Sequence, residues 1–155
     1  VKTDFSFEVS IAPIRLEKCL YPVIELEANP DFAQNNDPGN SPVMKVDFEG
    51  LNFELNDEYP NSFILTLPIL LTWENTDNPP YRKAMIRAVG MFSWHPETKD
   101  DFREVLMTTS GPSMLYSSAR EFLRIITGSG PWGELILPAV FVRPAPDDED
   151  PKNAD

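Results

Sequence analysis

Two long apolar runs constrain this chain more than any other feature. Phe63 to Trp73, "FILTLPILLTW", and Tyr81 to Trp94, "YRKAMIRAVGMFSW", are rich in β-branched and aromatic residues and are separated by "ENTDNPP", a stretch of turn formers. The pair predicts an antiparallel hairpin. Pro68 falls inside the first run and has no amide to donate, so an edge or bulged position is expected there. The first run is too short to span a bilayer and carries a proline and two threonines, so no membrane insertion is expected.

Other segments alternate in the same way. Phe5, Phe7, Val9 and Ile11 form one period-two set that Pro13 limits, and Ile24, Leu26 and Ala28 form another against Glu25 and Glu27. Met44, Val46 and Phe48 alternate up to Gly50, after which the parity changes to Leu51, Phe53 and Leu55; a bend at Gly50 would keep both sets on one face. The stretch "NPDFAQNNDPGNSP" reads as a loop. After "HPETKDD" the spacing becomes helical: Phe102, Val105 and Leu106, then Leu115, Ala119, Phe122, Leu123 and Ile126. Pro112 divides the pattern into two helices or one broken helix. Leu135 to Val142 is extended, and "RPAPDDEDPKNAD" has the composition of a disordered acidic tail.

Strands first and helices last predict an α+β domain: an antiparallel sheet of about four strands, with an extra β segment and a broken helix packed on one face. The expected boundaries are a single domain over 1–143, an insertion over 30–58 and a tail over 144–155. A chain of 155 residues supports one core.

Charge narrows the partners. With 25 acidic and 13 basic residues the formal net charge is -12, which opposes nucleic acid and anionic membrane surfaces. The single cysteine, Cys19, makes no internal disulfide and suits a reducing compartment, so a cytoplasmic location is expected. No signal peptide is expected within the chain given.

Catalytic chemistry finds little support. The lone histidine, His95, has only Cys19 as a soft co-ligand, which disfavours a zinc site. No nucleophile elbow surrounds any serine. The carboxylate pairs Asp57-Glu58 and Asp100-Asp101 sit in polar turns. The glycines of "TGSGPWG" follow their helix, where carbonyls and the negative end of the dipole repel a phosphate, so no nucleotide is expected. Gly128 reads as the helix stop. Neither an enzyme nor a cofactor is expected. Asp4 and Glu8 share one side of their strand and could receive a basic segment, although a solvated strand face has the same pattern.

Several stretches together resemble one family. "TDFSFEVSIAP", from Thr3 to Pro13, resembles the strand signature D-[IL]-S-F-E-x-P of the SecB protein-export chaperones, with Ser10 in place of the proline. "LEKCLYPVIELEA" follows, with Lys18 and Pro22 in matching places, and "GMFSW" at Gly90 is similar to the family's strand end. "GPSMLYSSAREFLRIITGSGPWGELILP" resembles its proline-containing helix through Tyr116, Ala119, Arg120 and Glu121.

The resemblance implies an ATP-independent holdase, a homotetramer built as a dimer of dimers, that holds unfolded preproteins and passes them to the SecA motor. It implies that Asp4 and Glu8 face the motor's cationic tail, and that Met85 stands where the family has a further acidic contact. Leu20, Ile24, Ala84 and Ile86 are the implied client groove, Leu20 replacing a common tryptophan. Ser117, Ser118 and Ala119 are the expected oligomer contact, small enough for close approach. A helix like the family's second C-terminal one is not expected after Phe141, since Pro144 and Pro146 lead into acidic sequence. A divergent branch serving toxin-antitoxin pairs fits the same residues. Two other classes remain open: an adaptor that binds one partner through an acidic face, and a carrier of an apolar small ligand.

Overall fold

A computed structural model describes residues 11–32 and 41–143. Five strands are present: β1 (Ile14–Ala28), β2 (Val43–Phe48), β3 (Asn52–Leu55), β4 (Ser62–Glu74) and β5 (Tyr81–Trp94). All neighbours pair antiparallel, in the order β1-β5-β4-β2, and β3 continues along β4 beyond β2. A helical rod follows, made of α1 (Asp100–Val105), a π-helical turn (Leu106–Ser110) and α2 (Gly111–Thr127). The class is α+β, with the helix packed on one face of the sheet.

The expected hairpin is β4–β5, with Phe63 opposite Phe92, Leu65 opposite Gly90 and Ile69 opposite Ile86. Odd residues of β4, from Phe63 to Leu71, and even residues of β5, from Ala84 to Trp94, are buried under the helix. Phe63 stacks on both Phe92 and Trp94, at centroid distances of 4.9 Å. Burying such rings contributes ~1.5–3 kcal/mol each, and this end of the sheet is anchored accordingly.

Pro68 is in a central strand and not at an edge. On one side β4 pairs with β2 up to Phe48–Ile69 and resumes with β3 at Asn52–Thr66. Pro68 faces the interruption, where its carbonyl accepts the Glu49 N–H at 3.2 Å. A residue in an antiparallel ladder points its N–H and C=O to the same side, so the missing donor of Pro68 falls at the bend. Gly50 makes that bend with φ +71°, a conformation glycine adopts without cost. Val46, Phe48 and Phe53 consequently lie opposite the buried Leu71, Ile69 and Leu65 on one face, as the parity change implied.

β1 begins at Ile14, ten residues before the alternation that announced it. Register shifts between Leu16 and Lys18, and between Leu20 and Val23, reverse which parity meets the core. The inward parity is therefore Ile14 and Leu16, then Cys19 and Tyr21, then Ile24 and Leu26, a sequence with no single period. Pro22 occupies the second shift, where a missing ladder donor costs little.

The helix is continuous, not split. In α register the Pro112 ring would clash with the carbonyl four residues back, and it offers no N–H. The π-turn removes the conflict: Gly111 N–H donates to Leu106 O, five residues back, and the Thr108 and Thr109 hydroxyls donate to the carbonyls of Glu104 and Val105. Pro112 then packs fully buried against the sheet.

At the other end Gly128 caps α2 with φ -58°, inside the right-handed region, so it does not supply a left-handed stop. The left-handed glycine is Gly133, φ +74°, beyond the helix end in the return of the chain. Thr127 organises the return: its hydroxyl donates to Leu123 O at 2.7 Å and accepts the Leu135 N–H at 2.8 Å. The segment from Glu134 to Arg143 is extended but joins no ladder among the described residues. It inserts Leu135 and Leu137 into the core, and Tyr116 donates to Pro138 O at 2.7 Å.

Candidate functional site

The helix covers one sheet face, and the strand registers define what the opposite face presents. Across β1, β5, β4 and β3 run the rungs Lys18–Met91–Ile64–Glu54 and Leu20–Val89–Thr66–Asn52. The next rungs are Val23–Arg87–Pro68 and, reaching β2, Glu25–Met85–Leu70–Asp47. The two middle strands thus carry an apolar strip of Met91, Ile64, Val89, Met85 and Leu70, interrupted by Arg87. No helix or strand lies over it among the described residues. Leu20 is 41% exposed and Met91 39%, values that leave side-chain carbon in water at the strip's margin.

Charge brackets the strip with both signs. Lys83 pairs with Glu25 at 2.8 Å, Lys45 with Glu74 at 2.5 Å, and Arg15 with Glu17 at 3.9 Å. Exposed pairs of this kind add little stability, because water and salt screen them, but they keep the margins polar and define the strip.

On the covered face, Tyr21 ties the β1 edge to the helix. Its ring stacks on Phe122 with centroids 4.0 Å apart, and its hydroxyl lies 2.9 Å from Ser118 Oγ. Burial, and then Cys19 nearby, push the phenol up to about 12. Tyr116 and Tyr81 are also raised by burial.

Three of the four implied groove residues, Ile24, Ala84 and Ile86, share the helix-covered face of the sheet, and Leu20 is on the other. Asp4 and Glu8 lie outside the described residues. Of the implied groove, Ala84 is 2% exposed and Ile86 0%, so both belong to the core beneath the helix. Ile24 is opposite Ile86 and is 42% exposed at the sheet edge, whereas Leu20 is on the open face. Ala119 is fully buried within its own chain and Ser118 is engaged by Tyr21; Ser117 is exposed, its hydroxyl donating to Ser113 O. Met85 is on the open face between Glu25 and Leu70.

The strip itself had a sequence signal. "FILTLPILL" is apolar at both parities, which a strand with one solvated face does not require. His95 is a turn residue whose Nδ1 accepts the Glu97 N–H. Among the described residues no cluster of His, Cys, Asp and Glu could hold a metal ion, and no helix is long and apolar enough to cross a membrane.

No family model and no curated protein sequence matches the chain. Its fold is similar to that of a solved structure, the Mycobacterium tuberculosis SecB-like chaperone Rv1957 in complex with a ChAD peptide from the antitoxin Rv1956 HigA1. The TM-score is 0.59 at 16% identity, and the match covers 86% of this chain and 94% of that one. At that identity the likeness is one of fold.

Proposed function

We propose that this chain is a SecB-like, ATP-independent holdase that binds apolar segments of non-native polypeptides. The observation that carries the reading is the strip from Met91 and Ile64 to Met85 and Leu70, over which no helix or strand lies among the described residues, on a fold similar to that of a SecB-like chaperone solved with a peptide. Apolar surface recognises a client by burial and without reading its sequence, so many segments can be held. The polar margins keep the strip from closing indiscriminately on other copies. On this reading the protein is a binding protein and not an enzyme, needs no cofactor, acts in the cytoplasm and assembles as a tetramer. Protein export is the broader role. Service to one antitoxin is the narrower one, favoured by the peptide in the similar structure.

The test is dilution of a chemically unfolded client into buffer without nucleotide, followed by light scattering. The protein is expected to suppress aggregation, and Leu20→Glu with Met91→Glu to reduce the effect. A monomer that leaves aggregation unchanged would overturn the reading. Salt separates the alternatives, because an acidic-face adaptor weakens with ionic strength while apolar capture does not.

A further inference from the structure

The open face of the sheet holds a cation in the middle of its apolar strip. Arg87 stands on β5 between Met85 and Val89, with Val23 and Pro68 opposite it on the flanking strands. It is exposed, and among the described residues it is in no ion pair. We propose that the strip takes an extended polypeptide segment carrying a carboxylate among its apolar side chains, with that carboxylate seated on the Arg87 guanidinium. The inference rests on the holdase reading and adds a chemical preference to it.

The surroundings leave that guanidinium to an incoming group. Its register partners and its same-face neighbours along β5 are uncharged, and of the diagonal positions only Glu25, opposite Met85, is acidic. Glu25 is held by Lys83 at 2.8 Å. Asp47 and Glu54 are on β2 and β3, beyond β4, so a segment lying over β1 and β5 runs clear of them. A purely apolar occupant would take water from the guanidinium and return nothing, and a basic one would add repulsion. A carboxylate accepts two parallel N–H bonds from the planar fork, while the arginine stem stays against carbon.

A second cation sets a spacing. Lys18, opposite Met91, is also exposed and in no ion pair among the described residues, and its rung is four residues along β5 from that of Arg87. At ~3.3 Å per residue the two rungs are about 13 Å apart, the separation of side chains i and i+4 on one side of an extended segment. Between them is the rung Leu20–Val89–Thr66, which offers carbon at β1 and β5. The face therefore presents cation, carbon and cation obliquely across two strands, and the complementary segment reads acidic, apolar, acidic at alternate positions. The chain's own sequence after Arg143 does not meet this pattern, because its only apolar residues are alanine and proline.

The experiment uses two end-blocked nonapeptides with leucine at the first, fifth and ninth positions and threonine at the even ones; the third and seventh are both glutamate in one and both lysine in the other. Each is titrated into the full chain while the methyl NMR signals of Met85 and Met91 are followed. The glutamate peptide is expected to move both signals and to bind roughly tenfold more tightly than the lysine peptide. Arg87→Gln, at an exposed position, should weaken it about three- to tenfold without moving the urea midpoint, and Lys18→Gln about two- to fivefold. Arg87→Glu should make the lysine peptide the better ligand. Equal binding of the two peptides, or unchanged binding in Arg87→Gln, would overturn the proposal. So would competition by a peptide of the 144–155 sequence at equal concentration, which would make the chain's own tail the occupant, or signals that move with protein concentration alone, which would place a second copy there. The two readings fail separately. A protein that suppresses aggregation but does not distinguish the peptides retains the holdase reading and loses the carboxylate preference. One that prefers the glutamate peptide through Arg87 but leaves aggregation unchanged does the reverse.

Discussion

The Tyr21 hydroxyl lies 2.9 Å from Ser118 Oγ, a bond that joins the outermost described strand to the helix across 97 residues of sequence. With the ring stacked on Phe122, it fixes how far the β1 edge can move from the helical layer. Tyr21→Phe removes only the bond and should cost about 0.5–1.5 kcal/mol in urea unfolding. Tyr21→Ala also removes the stacked ring and should cost clearly more, ~3 kcal/mol or above.

Alkaline pH tests the same residue. The folded phenol is raised from 10.0 to about 12, so folding favours the neutral form. The associated stability is complete below about pH 10 and is lost as pH rises toward 12. Tyr116 and Tyr81, also raised by burial, add to the loss in the same direction. A series of urea melts should therefore show a falling midpoint above about pH 10. The fall should be shallower in Tyr21→Phe.

Gly90 is a close-approach position. A Cβ there would stand 2.5 Å from Phe92 Cε2 and 3.1 Å from both Leu115 Cδ1 and Leu16 Cδ1. Phe92 cannot yield cheaply, because it is buried and stacked on Phe63. Gly90→Ala should lower stability by roughly 1–3 kcal/mol, read from the thermal or urea midpoint.

These positions also show which parts of the molecule could be read from sequence. The β4–β5 hairpin and the Gly50 bend were legible because each keeps one period or announces its change with a glycine. β1 was legible only in its second part, where Ile24, Leu26 and Ala28 alternate; before it, register shifts between Leu16 and Lys18 and between Leu20 and Val23 exchange inward and outward residues and erase the alternation. Pro112 marked a disturbance, but whether a helix breaks or widens there was not legible; the helix widens into the π-turn Leu106–Ser110 next to Gly111, which sits close over Phe63 and Leu65. The implied groove residues are apolar in any register, and only the pairing of Ile86 with Ile24 and Ile69 shows Ile24, Ala84 and Ile86 on the helix-covered face and Leu20 on the open one. The strip on the other face arises from apolar residues at the second parity, a weaker signal than a motif.

Arg103 is the fastening of the sheet end where the helical rod begins. Its side chain is 18% exposed and gathers carbonyls from the 60–61 turn and the 96–98 turn around one guanidinium. Arg103→Ala would leave several acceptors without a donor and should cost about 1.5–3 kcal/mol, the range for bonds to charged groups. Arg103→Lys keeps the charge but not the planar fork, so it should recover only part of the loss. The pair of melts distinguishes fork geometry from charge alone.

The return segment makes the last prediction. Glu134 to Arg143 covers part of the core without any ladder, so it is held by Leu135, Leu137, the Thr127 hook, the Tyr116–Pro138 bond and the Arg124–Glu134 pair at 3.1 Å. A segment fastened by side chains opens more easily than one fastened by a sheet, because few backbone bonds must break. Its amides should exchange with deuterium well before those of β4 and β5. Leu137 is 0% exposed, and Leu137→Ala should remove ~2–5 kcal/mol from the contacts that hold the segment down. The variant is expected to bind an apolar dye such as ANS, through the core surface the segment normally covers, under conditions in which the β4–β5 amides stay protected. Loss of protection in β4 and β5 at the same rate would instead show that the segment and the sheet open as one unit.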